Sequence, residues 1–293
     1  MSVRTDGVST YLTSPVAAVY SSLAKSTICM WVKCLSSIAA LETILIKDQI
    51  VGSPWCFVEP TNAIGADVDD DSQTAYQVDS ANNTITQGIW FHYATSYDMV
   101  AGGKIQLYLN GVNLNALSNT IPPGSTPYDD SASGFSIGNG AGFPFNGELS
   151  DVRIYNAVLS PSQIASVAAG GTPASANLTA WWKFCSGNLL ADSSGNGNTL
   201  TNFGAVAGAT QPPIDVCIAP PPSLPYSVPD CRVAPFGPNA NRIVQGTKIY
   251  DVQTSDNAAI PPVDSRTSKP VDSRVAANIP ENSRTPGIYG PGE

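Results

Sequence analysis

The sequence holds one histidine, His92, among 293 residues, and only three methionines. A lone imidazole removes His-rich zinc centres and leaves a Ser-His-Asp triad a single place to stand. Charge is sparse too, at 13% of residues, with 14 basic against 23 acidic side chains and a net charge of −9. So acidic a chain is a poor partner for nucleic acid or an anionic membrane. No apolar run approaches the ~20 residues that cross a bilayer as a helix. The six cysteines (Cys29, Cys34, Cys56, Cys185, Cys217, Cys231) form no C-x-x-C pair, which disfavours zinc ribbons and thioredoxin-like chemistry. A P-loop is absent, and no nucleophile elbow is expected. Met1 to Gly7 carries no apolar h-region, so intracellular synthesis without a secretory signal peptide is expected.

What is plentiful is turn chemistry: 25 glycines and 24 prolines, beside 42% hydrophobic residues. That balance is too apolar for disorder and too turn-rich for a helical chain, and it predicts a β-rich protein. The charge and the prolines divide the chain. Residues 1–211 carry 7 basic and 15 acidic side chains, net −8, whereas residues 212–293 carry 7 and 8, net −1, and hold 15 of the 24 prolines. An acidic body is followed by a proline-rich, near-neutral tail.

Short alternating segments recur in the body. Thr27 to Lys33 is β-branched and aromatic. Ile105, Leu107 and Leu109 share one face of a run that ends in Asn110-Gly111, a strong two-residue hairpin signal. Trp90 to Tyr97 and Asp151 to Tyr155 alternate again. One helix is expected over 161–169: Ser160 as N-cap, Pro161 at N1, Gln163 completing a capping box, and Gly170 as the stop.

These segments, in this order, resemble the laminin-G-like, concanavalin A-like jelly-roll family. Asp6-Gly7-Val8 with Tyr11 matches its opening strand, Ile28 to Lys33 its "IS-W-VK" strand, and Trp90 to Ala94 with Tyr97-Asp98 its "W-H-A-YD" strand. Lys104 to Gly111 matches its "LYVDG" hairpin, and Phe145 to Asn156 with Leu159-Ser160 its ending. The resemblance covers about 160 residues and implies an all-β, two-sheet antiparallel jelly-roll sandwich. The family's opening Trp-x-Phe strand and Asp-Ser-Ser-Gly-Asn-Gly-Asn loop come last here, at 181–184 and 192–198. Either residues 178–206 complete a permuted sandwich spanning 1–211 or a second repeat starts and is truncated; a lone strand pair cannot bury its apolar face, which favours the permuted sandwich.

Candidate sites follow. The oxygens of Asp192 to Asn198, on a glycine-rich turn, suit a cation, and family members often hold calcium near this loop, so the resemblance implies a Ca²⁺ site at Asp192 and Asn196. The alternative is a turn in which Asp192 caps backbone amides. Asp67 to Asp71 reads as a solvated acidic turn. Trp55, Tyr128 and Phe143 lie in Pro/Gly-rich segments and are the candidates for stacking on sugar rings, whereas Trp31, Trp90, Trp181 and Trp182 read as core. His92 reads as a hydrogen-bonded core residue. The family's sandwich also carries glycoside hydrolases, which need paired carboxylates. Glu148 and Asp151 come nearest but lie in a structural segment, so no catalysis is expected. Most cysteines read as buried thiols, and Cys217 with Cys231 is the one pair considered for a bridge.

The tail reads as a Pro-rich linker with a short β segment (212–254), then an extended arm (255–293). Within the arm a Pro-x-[Asp/Asn]-Ser-Arg motif recurs three times and places Arg266, Arg274 and Arg284 at intervals of 8 and 10. Extended, the arginines would fall on one side, roughly 25–33 Å apart. This arm resembles C-terminal arms on virion proteins of tailed bacteriophages, and arginine forks suit docking on carboxylates of a neighbouring subunit. The expectation is a non-enzymatic, homo-oligomeric virion structural or decoration protein, its jelly roll displayed and its arm docked on capsid, tail or sister subunits. The alternative is a carbohydrate-binding module for host or surface glycans.

Overall fold

A computed structural model describes residues 1–47, 53–140 and 142–217. Two eight-stranded antiparallel sheets carry the architecture. The first contains β1 (Val3–Asp6), β3 (Lys25–Cys34), β8 (Phe91–Asp98), β10 (Gln106–Leu109), β11 (Val112–Asn113), β15 (Asn146–Tyr155), β16 (Leu178–Trp182) and β18 (Val206–Ala207). Its order is β11-β10-β8-β3-β15-β1-β18, with β16 paired to β15. The second contains β2 (Tyr11–Thr13), β4 (Glu42–Lys47), β5 (Trp55–Val58), β6 (Ile64–Asp69), β7 (Ala75–Asp79), β12 (Leu117–Ser118), β14 (Phe135–Ile137) and β17 (Thr201–Phe203). Its order is β12-β7-β6-β5-β4-β14-β2-β17. A small ladder joins β9 (Gly103–Lys104) to β13 (Thr120–Ile121).

The core lies between the sheets, where period-two alternation sends every second side chain. Ile28, Met30, Val32, Tyr93 and Leu107 of the first sheet face the same core as Leu12, Leu45, Cys56, Val78 and Ile137 of the second. Asn110 and Gly111 both take positive φ, 51° and 79°, as a type I′ hairpin requires. The late strands reach both sheets: β16 pairs with the second half of β15, β17 with β2, and β18 with β1.

The outer faces differ, and that difference positions the site. The first sheet's outer face is covered by the helix α1 (Pro161–Ala168), whose Ile164 and Val167 pack on Cys29, Ala94, Tyr108 and Tyr155. The Ser160–Gln163 capping box is present in full. The segment after β18 crosses the same face: Ala209 N–H donates to Glu148 Oε1 at 2.8 Å, and Thr210 Oγ1 accepts from Lys33 Nζ and Trp90 Nε1, each at 3.1 Å. Covered on both faces, β3 and β8 are buried nearly end to end. The second sheet's outer face is exposed only in part: Trp55, Asp67 and Asp79 are half-buried and Gln77 is exposed, whereas Phe57 and Asp69 are buried.

Two expectations are corrected here. Cys217 is bonded to Cys185, with Cα atoms 5.4 Å apart, and Cys231 lies outside the described residues. Closing a 32-residue separation anchors the crossing segment beside Lys183, a pairing set by tertiary proximity and not by the intervening prolines. Cys29, Cys34 and Cys56 are buried free thiols, as expected, each pushed up to about 12 by burial. The second correction concerns Asp67–Asp71. Strand β6 continues through Asp69, and the turn begins only at Asp70, whose carboxylate accepts from Ser72 N and Thr74 N.

Candidate functional site

On the outer face of the second sheet, register sets the neighbours. Trp55 pairs with Asp67, and Asp67 with Gln77; one row further, Phe57 pairs with Gly65, and Gly65 with Asp79. Directly paired residues in an antiparallel ladder point to the same side. Trp55, Asp67, Gln77, Phe57 and Asp79 therefore share one face. Gly65 is required there. A Cβ at that position would come within 2.3 Å of the Phe57 ring and 2.6 Å of Asp79 Oδ1.

The loop between β14 and β15 folds over part of this face. Its Phe143, 38% exposed, stacks on Trp55 with ring centroids 6.0 Å apart and 27° between planes. Phe57 lies 5.0 Å from Trp55, tilted. Trp55 is held by its indole N–H, which donates to Thr43 Oγ1 at 3.0 Å, while the Phe143 carbonyl accepts from Thr43 N at 2.8 Å. On its far side Phe143 walls a hollow of about 310 Å³, lined also by Ser36, Ser37, Glu42 and Asn146. Glu42 Oε2 accepts from Asn146 N at 3.1 Å, and partial burial raises its carboxyl above the usual range.

The acids beside Trp55 are unusual. Asp67 Oδ1, Asp69 Oδ2 and Asp79 Oδ1 are all buried without a hydrogen-bond partner. Asp69 is 4% exposed. Burial, followed by the charges of Asp69 and Asp79, pushes Asp67 up to about 7; burial and Asp70 push Asp69 up to about 6. Buried carboxylate oxygens without donors are costly, and three of them stand together beside the aromatic rings.

Of the three aromatic candidates, the structure brings Trp55 and Phe143 together. Tyr128 lies in the loop before β14 and meets the site through its backbone, its N–H donating to the Asp69 carbonyl at 3.1 Å. Phe57, Asp67, Asp69 and Asp79 were not read as site residues. The signal that would have found the acids is their period: Asp67 and Asp69 flank Val68, an alternation that puts both on one side of a strand.

The other candidates are absorbed by the fold. Asp192 Oδ1 accepts from Trp181 N and Ser194 N, and Oδ2 from Ser194 Oγ and Asn198 N, at 2.8–3.0 Å. Asn196 Nδ2 donates to the carbonyls of Leu178 and Thr179. Four donors occupy the lone-pair positions of the Asp192 carboxylate, so this loop does not fit a calcium ion and is the capped turn instead. Among the described residues no group of three or more His, Cys, Asp or Glu side chains is placed to hold a metal.

Glu148 is engaged by Ala209 and Thr210, and Asp151 by Arg153 and Trp181, so neither is free for hydrolysis. His92 is fully buried, but neither ring nitrogen has a hydrogen-bond partner, which corrects the hydrogen-bonded reading. Burial and Arg153 hold it neutral, with its pKa down to about 3. Trp31 and Trp182 are buried, as core readings require, whereas Trp90 and Trp181 are partly exposed. Gly134-Phe135-Ser136-Ile137-Gly138 spells G-x-S-x-G, yet Ser136 sits buried inside β14 and donates to the Asn139 carbonyl. It lacks the strand-to-helix turn that makes a nucleophile elbow. Arg266, Arg274 and Arg284 lie outside the described residues.

Residues 6–165 match a laminin-G model described as the concanavalin A-like lectin/glucanases superfamily. No curated protein matches the sequence. Among solved structures, a candidate carbohydrate-binding protein from Bacteroides ovatus is similar, with 17% identity and a TM-score of 0.52; the match covers 70% of this chain and 60% of that one. The chain thus spans about 60% of that protein's length. A heptameric pentraxin from Limulus polyphemus (16% identity, TM-score 0.43, 59% and 83% covered) is also similar. So is the IT-sialidase CBM40 of Ruminococcus gnavus, bound to α2,3-sialyllactose (15%, 0.43, 57% and 96%). At these identities the likeness is one of fold.

Proposed function

This chain belongs to the concanavalin A-like lectin/glucanases superfamily, and from that premise we propose that it is a non-enzymatic carbohydrate-binding module. One observation carries the reading: the Trp55–Phe143 stack stands on the second sheet's partly exposed outer face, beside carboxylates that each keep an oxygen without an internal donor. Sugar rings present C–H faces to aromatic planes and hydroxyls to carboxylates, and the strip offers both kinds of contact side by side. The superfamily's name and the lectin-like neighbours support the same class.

The test is direct. Glycan-array binding by the intact chain should identify a ligand. Trp55→Ala and Phe143→Ala should each then weaken it by about 1–2 kcal/mol, roughly 5- to 30-fold, as hot-spot aromatics do. An array with no binding, or unchanged affinity in both variants, would overturn the reading. Turnover of a β-glucan that disappears in Asp67→Asn would replace it with hydrolysis. Display on a virus particle through residues 255–293 is proposed as the setting. Deleting that segment should abolish assembly and leave glycan affinity unchanged.

A further inference from the structure

The saccharide reading leaves open which sugars this face accepts, and its charge distribution bears on that. Every ionisable side chain that the register places on the strip is acidic: Asp67 and Asp69 on β6, and Asp79 on β7. Gln77 is the polar neighbour, donating from Nε2 to Asp79 Oδ2 at 2.8 Å. The β14–β15 loop and β5 add aromatic rings, and Glu42 stands at the hollow beyond Phe143. The described cations are all elsewhere. Arg4, Lys25, Lys33 and Arg153 belong to strands of the other sheet, Lys104 to the small ladder, and Lys183 lies over Trp181. Lys47, on β4, is fully buried and paired with Asp130.

Asp67 and Asp79 reach the surface in part and Asp69 is buried beside them, each with one oxygen that has no partner, and no described cation stands on the strip to receive an anion. A hydroxyl or ammonium would satisfy those oxygens. A ligand carboxylate or sulfate would bring like charge against groups that are already short of donors. Building on the saccharide reading, we infer that this face selects by charge: it accepts neutral saccharides, binds amine-bearing ones more tightly, and rejects sialylated or sulfated ones.

The experiment uses the intact chain and three probes at pH 7.5 and low salt: a glucosamine oligomer, the N-acetylated oligomer of the same length, and α2,3-sialyllactose. Expected are binding of the glucosamine oligomer at least tenfold tighter than the acetylated one, and no binding of sialyllactose. In the Asp67→Asn/Asp79→Asn double variant the ratio between the two oligomers should fall toward one. Asp79→Asn alone should shift it part of the way, a check that stands should the double variant fail to fold. Sialyllactose bound as tightly as the neutral oligomer would overturn charge selection while leaving the saccharide reading intact. So would a preference for glucosamine unchanged in the variants, because that signature belongs to diffuse attraction by the net charge. Failure of all three probes and of the glycan array would sink both.

Discussion

Replacing Arg153 by Met should cost about 3–5 kcal/mol of folding stability at neutral pH, the range expected when one partner of a buried ion pair is removed. Arg153 and Asp151 are 0% and 1% exposed. Their contact is two-pronged, Nε to Oδ1 at 2.7 Å and the second guanidinium nitrogen to Oδ2 at 2.9 Å. Asp151 Oδ1 also accepts from Trp181 Nε1 at 2.6 Å, and the guanidinium lies 4.4 Å from the Trp181 ring. Asp151 reaches this position because β15 bulges between Ser150 and Arg153, with Asp151 at φ 53°. Methionine keeps the packing length but strands the carboxylate. The sign with pH follows. Burial already raises Asp151, opposed first by Arg153. Without the arginine its folded-state pKa rises further, so the penalty should grow as pH increases and shrink toward pH 4. Adding Asp151→Asn should recover part of the loss. Urea titrations of the three variants at pH 5 and pH 8 measure this; a loss under about 1 kcal/mol would show that the pair is dispensable.

The second large effect has the opposite sign. Asp67→Asn should stabilise the fold at pH 8, by about 1–3 kcal/mol. The ordinary value is 3.8 and the folded one about 7, a gap equivalent to roughly 4 kcal/mol before discounting for partial exposure. Because the folded pKa is raised, the folded state binds the extra proton. The contribution of Asp67 to stability is therefore fully present below about pH 4 and is lost as pH rises through 7. Asparagine removes that loss, so the gain should fade as pH falls to 4. Asp69→Asn should act in the same sense, over a window ending near pH 6. The variant-minus-wild-type difference is the quantity to measure, since acids with lowered values, such as Asp6 and Asp98, tilt the whole protein the other way. The same substitution should weaken glycan binding. Stability gained where binding is lost is the expected signature of a site residue kept at a cost to the fold. No gain at pH 8 would mean that these carboxylates find partners in solution.

Much of this was legible one segment at a time. The hairpin at Asn110-Gly111, the capping box at Ser160 and Gln163, and the alternation in β8 and β10 are local, and propensity and period reported them correctly. Trp55 and Phe143 were legible as candidates because large rings in Pro/Gly-rich segments seldom serve the core alone. Their stacking was not, since it requires a loop 88 residues downstream to fold onto β5. The acids were misread for a physical reason: aspartate disfavours strands in isolation, and only pairing of β6 with β5 and β7 overrides that preference.

The sequence by itself determined the all-β class and the ordered strands of a jelly roll, because these depend on composition and on spacing within a few residues. Tertiary structure alone decided that Cys185, not Cys231, bonds Cys217, that Glu148 and Asp151 are consumed by internal partners, and that Asp67, Asp69 and Asp79 stand together without donors. Those outcomes depend on which groups long-range packing leaves buried and which donors it brings within reach, and neither quantity is encoded in any single stretch of chain.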